Sequence, residues 1–309
     1  MLRFFSVPFI GIEITSRTLK LGAVTSRASS KGMSQPLVTT VPLPSGLVVE
    51  SFLSPNIQDP QALATLLGEQ LAVYARVRTH RVALCLADSV FRVQSYDFDE
   101  LPERAGDRER LLRWRIEKGA AFDTSNTDLR YQVLPRPGKG VSVLACLGKK
   151  SVLSQYEALI GSLRRETWFV GPSSFQALNF FSPLFLERGI PGFAFVWVTD
   201  SSYSILAVER GVPRFYRTKD IRQGITEEGL DRVLRDLDDT LHFYLHSDRQ
   251  QTSEVGHLFL AGDTPLLSHL ADALRGSLAL EVEVLAMSSV MPGNGELPGS
   301  YAPVFGGMA

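Results

Sequence analysis

A repeated pattern of strands and helix is the feature of this sequence that most limits its fold. Residues 9–24, FIGIEITSRTLKLGAV, read as two apolar strands joined by a polar turn. Residues 193–208, FAFVWVTDSSYSILAV, repeat this pattern about 185 residues later. In each copy, another turn leads into a third extended segment and then into an amphipathic helix. Three strands followed by a helix, occurring twice, predict a duplicated α/β fold with a cleft between two lobes.

Both repeated helices carry recognisable start signals. Asp59 and Pro60 combine a preferred N-cap residue with proline at the first helical position, and Thr226 is the expected cap of the second helix. Glu227 and Glu228 support a helix start there because they lie near the positive end of the helix dipole. The predicted apolar stripes are Leu63, Leu66, Leu67, Leu71 and Tyr74 in the first copy, and Leu230, Val233, Leu234, Leu237, Leu241 and Tyr244 in the second.

The composition and the lengths of the apolar runs argue against several classes of protein. Thirty-two Lys and Arg stand against 33 Asp and Glu, a net charge of −1, which argues against a nucleic-acid-binding chain. No apolar run reaches the roughly 18 residues that a membrane span needs. The apolar N-terminus imitates a signal peptide, but Ser6, Pro8 and Glu13 interrupt it, so we expect a protein that stays inside the cell. Cys85 and Cys146 lie in apolar runs, which predicts buried, reduced thiols.

The motifs that usually mark catalytic or metal sites are incomplete. Residues 148–151, GKKS, lack the earlier glycine of a phosphate-binding loop and are interpreted as a strand-to-helix turn. Asp238, His242 and His246 recur every four residues on one predicted helix. Helix residues eight apart are separated by about 12 Å along the axis, too far for one tetrahedral metal, so we interpret them as a solvated face. The sequence contains no serine or cysteine in a recognisable nucleophile turn.

The two hairpin turns, at 15–17 and 199–202, are the remaining candidate site. In a duplicated fold of this kind such turns face each other across the cleft. Binding of nucleotide phosphates there requires glycines that let the backbone approach closely. It also requires an acidic residue at the end of the first strand, which holds Mg²⁺ through water.

Around these turns the sequence resembles the PilM family, the cytoplasmic actin-like proteins of type IV pilus assembly. It is also similar to relatives in MSHA-type pili, to the type II secretion protein GspL and, more distantly, to the cell-division protein FtsA. The matching stretches are GIEITSRTLKLGAV (11–24), LPSGLVVESFLSPNIQDPQALATLL (43–67), RVALCLADSVFRVQSYDFDELPE (81–103), LLRWRIEKGAAFD (111–123) and LFLAGDTPLLSHLADAL (258–274). Their order and spacing carry the resemblance, which covers nearly the whole chain.

The resemblance implies an actin-like fold, a duplicated RNase H-like α/β fold with a small α/β subdomain inserted in the first half. The expected parts are a first lobe over 1–190 with the insertion at about 81–165, a reduced second lobe over 191–291, and a loose Gly- and Pro-rich tail over 292–309. It also implies a non-catalytic scaffold on the cytoplasmic face of the inner membrane. Such a scaffold binds the N-terminal tail of the membrane protein PilN beside the insertion and connects it to motor ATPases.

Three residues within the expected insertion are assigned to the tail site on this resemblance. They are Trp114, Glu117 and Phe122, and core packing of Trp114 and Phe122 is the alternative interpretation. Contact with a motor ATPase and self-association of the chain are further expectations.

The sequence departs from the family where a nucleotide would bind. Glu13 and Thr15 stand where the family has Asp and Gly in its first turn, and Trp197 and Thr199 replace the corresponding pair in the second. A tryptophan does not coordinate Mg²⁺, and a β-carbon at position 199 crowds the approach of phosphate. The residues assigned to this degenerate cleft are Glu13, Thr15, Ser16, Lys20, Thr199 and Gly262. We therefore expect no cofactor and no ATPase activity.

Two enzymatic alternatives remain open from the sequence. One is a working actin-like ATPase that binds ATP with Mg²⁺ through Glu13, Lys20 and Gly262. The other is a relative of sugar or acetate kinases on the same fold. That second alternative needs a general base in the cleft, for which the sequence has no matched candidate.

Overall fold

The computed structural model describes residues 9–24, 36–120, 122–136, 138–221, 227–247, 254–291 and 297–307. The predicted cap Thr226 and the hairpin residue at position 137 lie outside these ranges. In chain order the elements are β1 (Ile10–Ile14), β2 (Thr18–Val24), β3 (Pro36–Pro42), α1 (Pro60–Val73), β4 (Arg81–Leu86), β5 (Phe91–Phe98), α2 (Ala105–Gly119), β6 (Thr127–Pro135), β7 (Val141–Lys149), α3 (Lys150–Ser162), β8 (Glu166–Pro172), α4 (Ser173–Glu187), β9 (Gly192–Thr199), β10 (Ser202–Glu209), β11 (Val212–Asp220), α5 (Glu227–Ser247), β12 (His257–Asp263), α6 (Leu267–Ser277), β13 (Glu281–Val284) and α7 (Ala302–Gly306).

Two five-stranded sheets with the same strand order confirm the duplication predicted from the repeat. The first sheet has the order β3-β2-β1-β4-β8 and the second the order β11-β10-β9-β12-β13. In each sheet the three strands of the repeat are antiparallel, and the other two strands run parallel to the first strand of the repeat. The central strands β1 and β9 are almost entirely buried, which explains their continuous apolar sequences.

The helices cover these sheets with the predicted apolar stripes. Asp59 caps α1 by accepting a hydrogen bond from the backbone N–H of Ala62 at 2.9 Å. Leu63 and Leu67 of α1 are buried in the core of the first lobe. In the second lobe, α5 and α6 pack on the second sheet, and Leu237 of α5 is fully buried. Each lobe therefore has its own hydrophobic core.

The inserted subdomain is smaller than the predicted range 81–165. β4 pairs with β1 and β8, and the apolar face of α3 packs into the core of the first lobe, so both belong to that lobe. The separate unit consists of the sheet β5-β7-β6 and of α2, which covers one face of this sheet with Leu112 and Ile116. The predicted boundary was wrong because an apolar strand has the same sequence pattern whichever sheet it joins.

The tail that was expected to be loose is folded where the structure describes it. Val304 and Phe305 of α7 are buried, and α7 contacts β1, β2 and α4. Gly11 makes room for this helix, since a Cβ there would lie 1.7 Å from the Val304 carbonyl oxygen. The high glycine and proline content hid this packing in the sequence, because α7 is too short to show a helical period.

An apolar cluster joins the two lobes. Its members come from α4, from β9 and β12 of the second lobe, and from α7. Phe181 of α4 and Phe195 of β9 are both fully buried in it. This junction holds the β1–β2 turn of the first lobe close to the β9–β10 turn of the second.

Candidate functional site

The turns that follow β1 and β9 face each other across the cleft, as predicted from the duplication. Arg17 in the first turn and Asp200 in the second form an ion pair between the lobes, with Nη1 and Oδ2 3.2 Å apart. Thr15 and Ser16 lie in the first turn, and Thr199 lies at the start of the second. The structure therefore brings the residues assigned to the cleft from both lobes together.

Each turn is closed by the hydroxyl group of its own threonine. Thr15 Oγ1 accepts hydrogen bonds from the backbone N–H groups of Thr18 and Arg17 at 2.9 and 3.3 Å. Thr199 Oγ1 accepts the matching bonds, at 3.0 and 3.3 Å, from the second turn, where Ser202 and Ser201 are the donors. In phosphate-binding turns the backbone N–H groups point at the ligand. Here they already have acceptors within the protein.

Lys20 is buried in a cluster of charges that links the lobes. Its Nζ lies 3.3 Å from Glu13 Oε2, 2.7 Å from Asp263 Oδ2 and 3.2 Å from the carbonyl oxygen of Ser300. Burial by itself would lower the pKa of Lys20, but the two carboxylates overcome this effect and raise it. Burial raises the pKa of Glu13, and the attraction of Lys20 offsets only part of that rise. The charge of Lys20 is thus balanced by the protein itself.

Two other cleft positions have structural explanations. Trp197 is 2 % exposed and lies in the apolar cluster between the lobes. A Cβ on Gly262 would lie 1.9 Å from the Val198 carbonyl oxygen. Glycine is therefore required at position 262 for β12 to pack against β9, whether or not a nucleotide binds.

Asp88 makes a further link between the lobes that the sequence did not reveal. It is 3 % exposed, and it accepts hydrogen bonds from the backbone N–H of Ser174 at 3.2 Å and from the hydroxyl of Ser204 on β10. Burial raises the pKa of Asp88 to about 6, and the two serines offset only part of the rise. In the sequence, Asp88 next to Ser89 indicates only a turn, because this pair is common in turns.

Replacing Asp88 by asparagine is expected to change how stability depends on pH. The folded-state pKa of about 6 exceeds the ordinary value of 3.8, so protonated Asp88 favours folding and this contribution is lost as the pH rises through 6. Between pH 5 and pH 7 the wild type should lose about 1 kcal/mol more of its unfolding free energy than Asp88→Asn. Urea unfolding at both pH values measures the difference, and equal losses would contradict the raised pKa.

The second candidate site is a groove of about 690 Å³ between the inserted sheet and the first lobe. The inserted sheet contributes Phe91 and Val93 of β5, Arg130 and Gln132 of β6, and Leu144 and Cys146 of β7. The first lobe contributes residues 167–172 of β8, together with Phe175 and Gln176 of α4. The groove is thus largely apolar, but polar side chains also line it, and Asp128, Arg130 and Glu157 among them are charged.

This groove follows an unpaired strand edge. β8 is the outermost strand of its sheet, and six consecutive residues of it, 167–172, line the groove. Successive side chains of a strand point to opposite faces, so a groove that lay against one face would be lined by every second residue. Because all six consecutive residues line it, the backbone edge of β8 itself faces the groove. No strand pairs with this edge in the part of the chain that the structure describes. Within that part, the buried hydroxyl of Thr167 also has no hydrogen-bond partner.

The residues that were assigned to the tail site do not line this groove. α2 covers the opposite face of the inserted sheet, and Trp114, Glu117 and Phe122 lie on that side. Trp114 is half exposed, with Lys118 Nζ 3.8 Å from its ring centre. Phe122 packs against Phe52 with ring centres 4.8 Å apart, in line with the alternative of core packing. These three residues and the groove thus lie on opposite faces of the inserted sheet.

The described residues provide neither a metal cluster nor a membrane helix. Among them, no group of three or more His, Cys, Asp or Glu side chains is placed to hold a metal ion. None of the described helices is long and apolar enough to cross a membrane. Cys85 and Cys146 are free thiols; Cys85 is buried as predicted, whereas Cys146 is half-buried in the groove.

No protein-family model and no curated protein matches this chain in sequence. Among solved structures, the chain is similar to one of the PilM–PilN type IV pilus biogenesis complex, with a TM-score of 0.78 and 18 % identity over 98 % of each chain. A Bacteroides thetaiotaomicron protein of actin-like ATPase fold and unknown function matches with a TM-score of 0.54 and 14 % identity, over 92 % of this chain and 94 % of that one. The fold is actin-like.

A third similar structure is the cytoplasmic domain of EpsL, an inner-membrane component of the type II secretion system of Vibrio cholerae. It matches with a TM-score of 0.53 and 12 % identity, over 93 % of this chain and 94 % of that one. The actin-like fold and the likeness to PilM therefore confirm what the sequence motifs predicted. At such identities the likeness establishes the fold, and function has to be argued from the sites.

Proposed function

We propose that this protein is a non-catalytic scaffold of a type IV pilus or related type II secretion platform. It binds the N-terminal tail of a PilN-like inner-membrane protein in the groove beside β8. The unpaired edge of β8 along an apolar groove carries this proposal. An extended peptide can join such an edge as a further strand, bonding the backbone and placing alternate side chains against the apolar wall. The full-length likeness to PilM in the PilM–PilN complex supports the kind of partner.

This partner also determines where the protein would act. A tail that emerges from the inner membrane places the scaffold on the cytoplasmic face of that membrane, as a peripheral protein. In this position it would connect the tail to a motor ATPase of the same system. Self-association of the scaffold is part of the same proposal.

We also propose that the cleft acts without a nucleotide. The residues present do not fit ATP with Mg²⁺, because the turn N–H groups donate to Thr15 and Thr199. The positive charge of Lys20 on β2 is balanced by two carboxylates of the protein, and that of Arg17 in the first turn is paired with Asp200. Trp197 fills the place of a second acidic residue. Charge-assisted hydrogen bonds are among the strongest contacts that a phosphate makes, and several of them are missing here together.

Two titrations by calorimetry test this proposal. Synthetic N-terminal tails of candidate membrane partners should bind with dissociation constants of about 50 µM or tighter, and failure of all of them would overturn the tail assignment. Mg²⁺-ATP should give no binding heat. Micromolar affinity for ATP that Glu13→Ala abolishes would instead establish a nucleotide-binding cleft and overturn the proposal that the cleft acts without a nucleotide.

A further inference from the structure

The carboxylate of Glu50 lies between the two turns of the cleft. Its Oε1 accepts a hydrogen bond from the backbone N–H of Ser16 at 2.6 Å. Its Oε2 accepts one from the hydroxyl of Ser201 at 3.2 Å. Ser16 belongs to the first lobe and Ser201 to the second, so one side chain connects both lobes.

The groups around this carboxylate have the chemistry of an anion site. Backbone N–H groups of a tight turn, hydroxyls and guanidinium groups are the donors that bind phosphates and carboxylates. Of the N–H groups at residues 16–18, two donate to Thr15, and that of Ser16 donates to Glu50. Arg17 in the same turn adds a guanidinium group, which is paired with Asp200 of the second turn. The turns thus retain an anion-binding arrangement, and the chain itself supplies the anion.

Glu50 is held in position by the residues on either side of it. The N–H of Val49 donates to the carbonyl oxygen of Asn56 at 2.8 Å, and the N–H of Ser51 donates to Asn56 Oδ1 at 3.1 Å. Asn56 is anchored in turn, because its N–H donates to Gln155 of α3 at 2.8 Å. A side chain on such a closed loop loses little conformational freedom when it bridges the turns.

We propose that Glu50 is an intramolecular ligand that holds the two lobes together in place of an external phosphate. The cleft is then closed by the chain itself, and closure does not require a bound nucleotide. This inference does not depend on what occupies the groove beside β8. Its test uses the protein without a tail peptide, so failure here and failure of the proposed function are separate results.

Hydrogen exchange of the two turns, measured by mass spectrometry, tests the bridge. In Glu50→Ala, exchange at 15–18 and at 199–202 should accelerate about tenfold to hundredfold, since hydrogen bonds to a charged group are lost. Glu50→Gln keeps the shape but not the charge and should give a smaller acceleration in the same peptides. Glu69→Ala, which removes an exposed carboxylate from α1, is the matched control and should change neither turn.

Inorganic phosphate provides the second measurement. Millimolar phosphate should slow exchange again in both turns of Glu50→Ala and should leave the wild type unchanged, with chloride at equal ionic strength as the control. Unchanged exchange in the second-lobe turn of both Glu50 variants would overturn the bridge. Loosened turns that phosphate does not restore would overturn the anion site. If Glu50→Ala accelerates exchange throughout the protein, Glu50→Gln becomes the deciding variant. Acceleration confined to the two turns in Glu50→Gln would support the bridge, and unchanged exchange there would overturn it.

Discussion

Replacement of Lys20 by methionine is expected to lower the free energy of unfolding by about 3–5 kcal/mol, the usual cost of removing one partner from a buried ion pair. Methionine is similar in length to lysine and fills much of the same space, so the loss is mainly electrostatic. Without the ammonium group, the buried carboxylate of Glu13 faces Asp263 with no positive charge between them. Chemical denaturation at pH 8 measures the loss.

A second substitution separates loss of charge from loss of packing. Glu13→Gln combined with Lys20→Met removes both buried charges, so the double variant should recover most of the stability that Lys20→Met loses. Lys150→Met is the matched control. Its ammonium group lies 3.9 Å from Asp128 on the surface, and such pairs contribute at most about 1 kcal/mol. A double variant as unstable as Lys20→Met would contradict the ion cluster.

The pH dependence of Lys20→Met gives an independent check. Burial already raises the pKa of Glu13, and removal of Lys20 removes the attraction that opposes this rise. A carboxyl group with a raised pKa favours folding when protonated and loses this contribution as the pH rises. The stability deficit of the variant should therefore be smaller at pH 5 than at pH 8.

Replacement of Leu144 by arginine is expected to weaken binding of a partner tail at least about thirtyfold. Leu144 lies on the groove side of β7, opposite the unpaired edge of β8. A peptide that fills the groove would have to bury the new guanidinium group without a partner, at a cost of a few kcal/mol. Calorimetry with the tightest-binding tail peptide measures the change.

Val133→Arg is the matched control for this experiment. Val133 is opposite Val143 in the pairing of β6 with β7, and Val143 faces α2 rather than the groove. The control therefore adds the same charge to the same sheet on its other face and should leave tail affinity unchanged. Full affinity in Leu144→Arg would show that the tail binds elsewhere. Equal losses in both variants would indicate general disturbance of the inserted sheet.

Much of the architecture was predictable because local patterns determine it. The apolar runs of β1 and β9 identify buried central strands, and Asp59 with Pro60 marks the start of α1. Repetition of these patterns was sufficient to predict two related sheets. The two cleft turns were also identified from their place in the repeat, since the turns after equivalent strands of a duplicated fold lie opposite each other. The individual residues assigned to the cleft came from the resemblance to the PilM family.

The groove could not be predicted in the same way. Periodicity distinguishes the two faces of a strand, but not which neighbour covers each face. Leu144 and Val143 are equally apolar neighbours in the sequence, yet one faces the groove and the other α2. The assignment of Trp114 to the tail site depended on which face of the inserted sheet a partner tail contacts. The folded tail was missed for a similar reason. The packing partners of Phe305 are established only in the folded chain, where α7 packs against β1 and α4.

What the sequence determined by itself is the set of elements, their order and their duplication, because hydrogen bonding and side-chain period act over a few residues. What only the tertiary structure decided is the chemistry of the cleft. Glu50 meets Ser201 across 151 residues, and Asp88 meets Ser204 across 116. Contacts over such separations form only when the whole chain is packed, because their geometry depends on every element between the two residues.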